Sequence, residues 1–367
     1  MEKSYKYRIY PNRKQREMIA KTFGCCRYVY NTYLAIRIEM YKENKKIFSY
    51  TQCSKDLRNL KSDLDWLREV DSTALQSALR DLDNAYQKFF RNHFGFPKFR
   101  SKKSHKFSYR SNCSNGNIQY CQGYIKLPKV GLVKTRGSLI PKGRILSATV
   151  SQYPSGRYYV SLVCTDVESA PAEKTGHSIG LDLGIKDFCI MSSGEKVSNP
   201  KYWGKFSSKL AKLQKNLSRK TKDGSNYNKA RIKLARLQEH IANQRKDFLQ
   251  KLSTGIIKNY DVICIEDLDI KEMIQRHKIS GLIMDASWSE FVRQLEYKAK
   301  WGSKQVIKIN RFYPSSQTCS DCGYINKNVK DLSVRTWECP ICHSHHDRDV
   351  NAAVNILNEG LKSTKMV

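Results

Sequence analysis

The sequence predicts a multi-domain chain of mixed α/β class, with an all-β part and an all-α part in its first half. Three observations predict it. Before residue 170, one alternating strand-like segment is followed by a long helical block and then by short alternating runs. After residue 175, apolar strands alternate with helical patterns, the order of an α/β unit. Near the end, two C-x-x-C pairs stand at the spacing of a small metal ribbon. A length of 367 residues suggests about two to three domains.

Residues 4–10, SYKYRIY, alternate and are closed by Pro11, so they read as a strand. From residue 13 to about 92 the pattern is helical. Ile19, Phe23, Val29, Tyr33 and Ile36 recur at short spacings, and Leu75, Leu79, Leu82, Ala85, Tyr86 and Phe89 form a stripe. Residues 100–165 hold Gly, Pro, Asn and Tyr with runs such as RYYVSLVC, a β signature. This order predicts a β-barrel with helices inserted after its first strand. A polar linker at 171–175 leads to HSIGLDLGIKDFCIMSSG, two strands joined by a turn around Gly184. Residues 207–252 read as a helical hairpin around the turn KDGSN, 260–267 as a buried strand, 287–301 as a helix and 305–309 as a strand. No apolar run approaches the ~18–20 residues of a membrane span. The N-terminus has no apolar stretch of the signal-peptide kind, so a soluble, unsecreted protein is expected.

Sixty-six Lys and Arg against 34 Asp and Glu give a net charge of +32, while the charged share is an ordinary 27%. The excess lies in sign, which excludes an acidic tail and calls for a polyanionic partner. From Asn84 to Thr165 there are 82 residues without one acid and with 15 Lys or Arg, interleaved with aromatics. Cations meet phosphates and aromatic faces stack on unpaired bases, so this mixture suits RNA or single strands. Lys98, Arg100, Lys102, Lys103, Lys106 and Arg110 are the candidate contacts. Between Lys201 and Lys246, 14 basic residues face two acids, and Lys209, Lys212, Arg219 and Lys220 join the candidates.

Isolated acids stand out in so basic a chain. Asp182 lies mid-strand among Ile179, Leu181, Leu183 and Ile185, where a carboxylate is costly unless paired or metal-bound. Its neighbours Gly180 and Gly184 would let a phosphate backbone come close. Glu266 ends the apolar run VICI. Asp347 and Asp349 begin a helix with the stripe Val350, Val354 and Leu357. Asp347 is assigned the cap and Asp349 the third metal ligand, since Asp349 heads the stripe Ala352, Ala353 and Ile356, whose small residues would let the helix lie close to the sheet. Three carboxylates on separate elements suit two Mg²⁺ ions and phosphodiester hydrolysis. Cys319, Cys322, Cys339 and Cys342 form C-x₂-C-x₁₆-C-x₂-C, the spacing of a closed, structural Zn²⁺ site. His343, His345 and His346 follow at once. The other eight cysteines are scattered and read as buried small hydrophobes of a reduced protein.

GLDLGIKDF, the basic hairpin, VICIEDL, SWSEF with LEYKAKW, INRFYPSSQTCSDCG and CPICHSHHDRDVNAAVNIL together resemble the TnpB (OrfB) proteins of bacterial insertion sequences. KYRIYPNRKQREMI, YNTYL, LRDLDNAYQKFF and GFPKFRSKK resemble the same family, so the likeness runs the length of the chain in order. It implies an RNA-guided DNA endonuclease related to the type V CRISPR effectors, with a RuvC (RNase H-like) domain. Residues 1–12 and 95–170 would form a wedge-type β-barrel and 13–94 a helical recognition lobe. Residues 176–313 and 346–360 would form the nuclease domain, with the hairpin at 205–252, a zinc ribbon at 314–345 and a tail at 361–367. Asp182, Glu266 and the acid in DRDVN would be its catalytic carboxylates, with two Mg²⁺ there and one Zn²⁺ on the four cysteines. The implied partners are a guide RNA from the element and double-stranded DNA beside a short flanking motif, met by a monomer in the bacterial cytoplasm and away from membranes. A transposase joining DNA ends with the same carboxylates, or a regulator that binds without cutting, are the other readings.

Overall fold

The structure, a computed structural model, describes residues 1–44, 48–104, 107–137, 139–168, 172–276, 280–331 and 333–365. It divides into two compact units, Met1–Glu168 and Ser169–Val367.

The first unit opens with β1 (Lys3–Tyr10), which buries Tyr5, Tyr7 and Ile9 on one face as its alternation requires. Three helices follow, α1 (Arg13–Asn44), α2 (Tyr50–Asp63) and α3 (Ser72–Asn92). Each has a side-chain start signal. Asn12 and Gln15 exchange hydrogen bonds ahead of α1, Ser49 and Gln52 form a capping box on α2, and Asp71 caps α3. Their apolar stripes, with Val29, Tyr33, Leu75, Leu79 and Leu82, share one core with the strands.

Those strands are β2 (Phe107–Asn112), β3 (Gln119–Cys121), β4 (Tyr124–Leu127), β5 (Gly131–Arg136), β6 (Arg144–Gln152) and β7 (Tyr158–Thr165). With β1 they make one antiparallel sheet in the order β2-β6-β7-β1-β5-β4-β3. The expected barrel is not closed: among the described residues the edge strands β2 and β3 do not pair. A physical reason is at hand on both edges. The β2 edge is covered by helix, with Asn112 N donating to Thr73 Oγ1 of α3 at 3.2 Å, and β3 is only three residues long.

The second unit holds a five-stranded sheet in the order β10-β9-β8-β11-β12. It comprises β8 (Ser178–Leu183), β9 (Asp187–Met191), β10 (Lys196–Ser198), β11 (Val262–Glu266) and β12 (Gln305–Ile309). β8, β11 and β12 run parallel, and β9 and β10 are antiparallel additions. The basic hairpin is α4 (Tyr202–Ser218) and α5 (Ser225–Asn259), zipped by Leu210, Leu237 and Ile241. Next come α6 (Ile270–Arg276), α7 (Ser280–Ala286) and α8 (Trp288–Trp301), then a hairpin of β13 (Thr336–Glu338) and β14 (His345–Asp347), and last α9 (Arg348–Lys365).

Alternation sorts the central strands. Ile179, Leu181, Ile263 and Ile265 join the core made with α5 and α8, through Leu249, Trp288, Phe291 and Leu295. The residues between them, Gly180, Asp182, Cys264 and Glu266, point to the other face, where Cys264 packs with Ile356 of α9.

One reading of this region holds and one is corrected. As expected, the small stripe Ala352, Ala353 and Ile356 is the buried face of α9, joined by Asn351 and Asn355, while Val350, Val354 and Leu357 are half-buried. Gly180 admits that helix, not a phosphate backbone: a Cβ there would lie 2.0 Å from the Ala353 carbonyl oxygen. Gly184 serves the β8–β9 turn, where a Cβ would meet the Asp187 carbonyl oxygen at 2.8 Å. No described helix is long and apolar enough to cross a membrane.

Candidate active site and metal centre

Asp182 and Glu266 lie near the C-terminal ends of two adjacent parallel strands. The register pairs Ile265 with Leu181, so one step further Glu266 stands beside Asp182 on the same face. Crevices at the carboxyl ends of parallel strands are where open α/β sheets hold their ligands. Asp349 arrives from α9. That helix crosses Gly180 at Ala353, and Asp349 is one turn back along it while Asp182 is two residues on along β8. Both steps are about 6 Å, which brings the two carboxylates to one level.

The electrostatics follow from this arrangement. Asp182 is pushed up to about 7, chiefly by burial and then by the charges of Glu266 and Asp349, with Arg348 opposing. Burial also raises Glu266, against a hydrogen bond from Ser315 Oγ to its Oε1 at 2.6 Å. Asp349 has Arg335 at 3.5 Å. Further along the loop after β11, Arg311 spans Asp267 and Asp269 at 3.3 Å each.

Asp347 is engaged differently. Its Oδ1 accepts the N–H groups of Asp349 and Val350 at 3.1 Å each, the geometry of an N-cap on α9, and Lys196 pairs with its Oδ2. Burial alone would raise this carboxyl, but those bonds outweigh it and hold it below the ordinary value.

The four cysteines meet in space. Their sulfur atoms lie within 4.8 Å of one another, with Cys319–Cys342 at 3.6 Å and Cys322–Cys339 at 3.5 Å. A tetrahedron of ~2.3 Å metal–thiolate bonds has edges of about 3.8 Å, so the donor set fits one metal ion. Each pair sits in a knuckle. Gly323 N donates to Cys319 O and His343 N to Cys339 O, and the residue after each second cysteine is left-handed, at φ 80° and 62°. His346, packed on Trp337, reaches Cys319 Sγ at 3.1 Å, and His343 and His345 are exposed beside Glu338. Among the described residues the carboxylates are not gathered as closely as these thiols.

The basic candidates fall into two groups. In the first unit Lys98, Lys102 and Lys103 are exposed, Lys102 and Lys103 on a single turn of 3₁₀ helix. Arg100 and Arg110 are half-buried and both answered by Asp81, at 3.1 and 3.7 Å, and Arg100 also stacks on Tyr30. Lys106 lies outside the described residues. In the second unit Lys209 and Lys212 on α4, and Arg219 and Lys220 after it, are all exposed. Residue patterning missed Ser315, Arg335 and Arg348, the neighbours of the carboxylates; only Arg348, inside DRDVN, carried any signal.

The OrfB_IS605 family model, described as "Probable transposase", matches residues 162–277. A model described as "Cas12f1-like, TNB domain" matches 288–356, and a "Helix-turn-helix domain" matches 1–46. A Streptomyces pristinaespiralis protein described as "Putative RNA-guided DNA endonuclease" is 37% identical over 99% of this chain and 90% of its own length. The chain belongs to the TnpB (OrfB) family. Another relative, "Putative RNA-guided DNA endonuclease InsQ" of Escherichia coli K12, is 33% identical over 97% of this chain and 92% of its own. Among solved structures, Cas12f1 in its cryo-EM complex with sgRNA and target DNA shares the fold. The TM-score is 0.58 at 13% identity, over 98% of this chain and 99% of that one. In this TnpB-family chain the first match contains Asp182 and Glu266, and the second contains the four cysteines and Asp349. The segment matched as helix-turn-helix is here a strand followed by one 32-residue helix.

Proposed function

We propose that the protein is an RNA-guided DNA endonuclease of an insertion sequence, with Asp182, Glu266 and Asp349 as the carboxylates of a RuvC-like site. One observation carries the reading: three acids from two strand ends and a helix start face one another in a chain of net charge +32. Their mutual repulsion and burial call for cations, and oxygen donors suit Mg²⁺. Three carboxylates on separate elements suit a pair of ions ~3.5–4 Å apart. Bound there, Mg²⁺ would supply the Lewis acidity that phosphodiester hydrolysis needs. The chain's own part is to hold the three carboxylates on a rigid sheet and helix. Its exposed lysines gather the nucleic acid. Base pairing with the guide, not this chain, would select the target.

The relatives described as RNA-guided DNA endonucleases support the same reading. Under it, residues 1–12 and 95–170 are the wedge, 13–94 the recognition lobe, and 176–313 with 346–360 the nuclease domain carrying a ribbon at 314–345. The decisive experiment sequences RNA bound to the purified protein, then assays that complex on a plasmid library with randomised flanks. Guide-dependent cuts beside a short flanking motif are expected. Absence of both RNA and cleavage defeats the proposal, and joined DNA ends without RNA favour a transposase.

The thiol cluster is assigned one Zn²⁺, since four thiolates leave a metal no open position. Elemental analysis of freshly prepared protein should give one zinc per chain; well under one rejects the assignment. RNA affinity should fall steeply with salt, because phosphate contacts displace counterions. Replacing Lys102 and Lys103 together by Ala should flatten the log–log slope by roughly 1.4–1.8. An unchanged slope would make these two lysines ordinary solvated side chains.

A further inference from the structure

We propose that Ser315 is a positioning residue for Glu266, held in place by two asparagines of α9, so that the loop entering the cysteine knuckle is part of the carboxylate site's frame. This rests on the reading of Glu266 as a metal-holding carboxylate. Ser315 is 7% exposed, and its Oγ donates to Glu266 Oε1 at 2.6 Å, the length of a charge-assisted O–H···O⁻ bond. A hydroxyl has one proton to give, which leaves the remaining acceptor positions of the carboxylate unused by it. The bond therefore fixes the rotation of the carboxylate without cancelling its charge. An Arg or Lys in that place would compete with any cation.

The loop that presents Ser315 is a turn closed by Gln317 N and Thr318 N on Pro314 O, and α9 ties it down from outside. Asn355 Nδ2 donates to Ser315 O at 2.8 Å and to Thr318 O at 2.6 Å. One turn earlier, Asn351 Nδ2 donates to Thr318 O at 2.7 Å, and its Oδ1 accepts Ser320 N at 2.9 Å. Both asparagines are 3% exposed, where an amide is costly unless its bonds are made. Cys319 lies inside this clamp. Glu266 on β11, Asp349 on α9 and the first thiol of the metal knuckle are thus tied to one hydrogen-bonded segment, residues 315–320. Outer partners of this kind orient a metal's ligands rather than touch the metal.

The test uses Ser315→Ala, Ser315→Val and Ser315→Thr in the full-length chain. Val and Thr share a shape and differ in the hydroxyl. Mn²⁺ binding is measured by calorimetry on protein cleared of nucleic acid, with Asp182→Ala as the blank. The Mg²⁺ concentration for half-maximal cleavage is measured on the guide complex. Losing an outer hydrogen-bond partner typically costs 10–100-fold in metal affinity, so Ala and Val should weaken both quantities by roughly that factor. Target-DNA affinity should not move, and Thr should track the wild type. A merely structural role would affect Thr and Val alike. Val matching Thr, or Ala binding Mn²⁺ as tightly as the wild type, overturns the proposal. If Ser315→Ala does not fold, the Thr–Val comparison decides. If the wild type titrates like Asp182→Ala, the reading of the carboxylates as a metal site is what fails.

Discussion

Asp182→Ala, Glu266→Ala and Asp349→Ala are each expected to abolish Mg²⁺-dependent cleavage, by about 10³-fold or more, while guide RNA and target still bind. The separation follows from where the energies lie. Binding draws on phosphate contacts along exposed lysines and on base pairing, neither of which uses these acids. Removing one carboxylate relieves repulsion among like charges, so the fold should not suffer and binding of a polyanion could tighten slightly. Cleavage on a plasmid and target affinity, measured on the same guide complex, check this. If all three variants cut normally, the nuclease reading fails.

Asp347→Ala is the matched control, two residues away. Its carboxylate receives two backbone N–H groups and Lys196, so its loss should cost about 1 kcal/mol of stability with much cleavage retained. A dead Asp347→Ala beside an active Asp349→Ala would reverse the roles of the two acids.

Much of this was legible in the residues. SIGLDL, VICIE and QVIKI are strands that alternate or run apolar as strands buried on one or both faces must, and the cysteine spacing foretold the sulfur cluster. What was illegible depended on partners distant in sequence. The closed barrel was expected because strands were countable and their pairing was not. β1 binds segments near residues 135 and 160, and nothing local says that β2 meets a helix instead of β3. The small face of α9 was legible in Ala352 and Ala353, but not that it rests on Gly180 of β8, which lies more than 170 residues earlier in the chain. Asn351 and Asn355 are buried for backbone carbonyls and one backbone N–H some 30 to 40 residues away. Likewise Asp81, which answers Arg100 and Arg110, lies just outside the acid-free stretch that made those arginines look free.

That glycine gives the second large effect. In Gly180→Ala the new methyl would lie 2.0 Å from Ala353 O and 2.8 Å from Leu357 N. Both are helix backbone, which cannot swing aside as a side chain would, so α9 as a whole must lift from β8. Overpacking of this kind costs about 1–3 kcal/mol, occasionally more. Asp349 rides on the same helix one turn away, and a misplacement near 1 Å at a reacting centre can cost roughly 100-fold in rate. Gly180→Ala should therefore lose both stability and cleavage while its Zn²⁺ content stays at one. Gly255→Ala is the contrast: Gly255 is exposed in the interior of α5 with nothing within 4 Å of its would-be Cβ. There the methyl only restricts the unfolded chain, and a gain of about 0.5–1 kcal/mol is expected. Denaturant midpoints of the two variants, read beside cleavage rates, decide the matter. If Gly180→Ala is as stable and as active as the wild type, α9 does not rest on β8 at this glycine, and the account of how Asp349 reaches Asp182 falls with it.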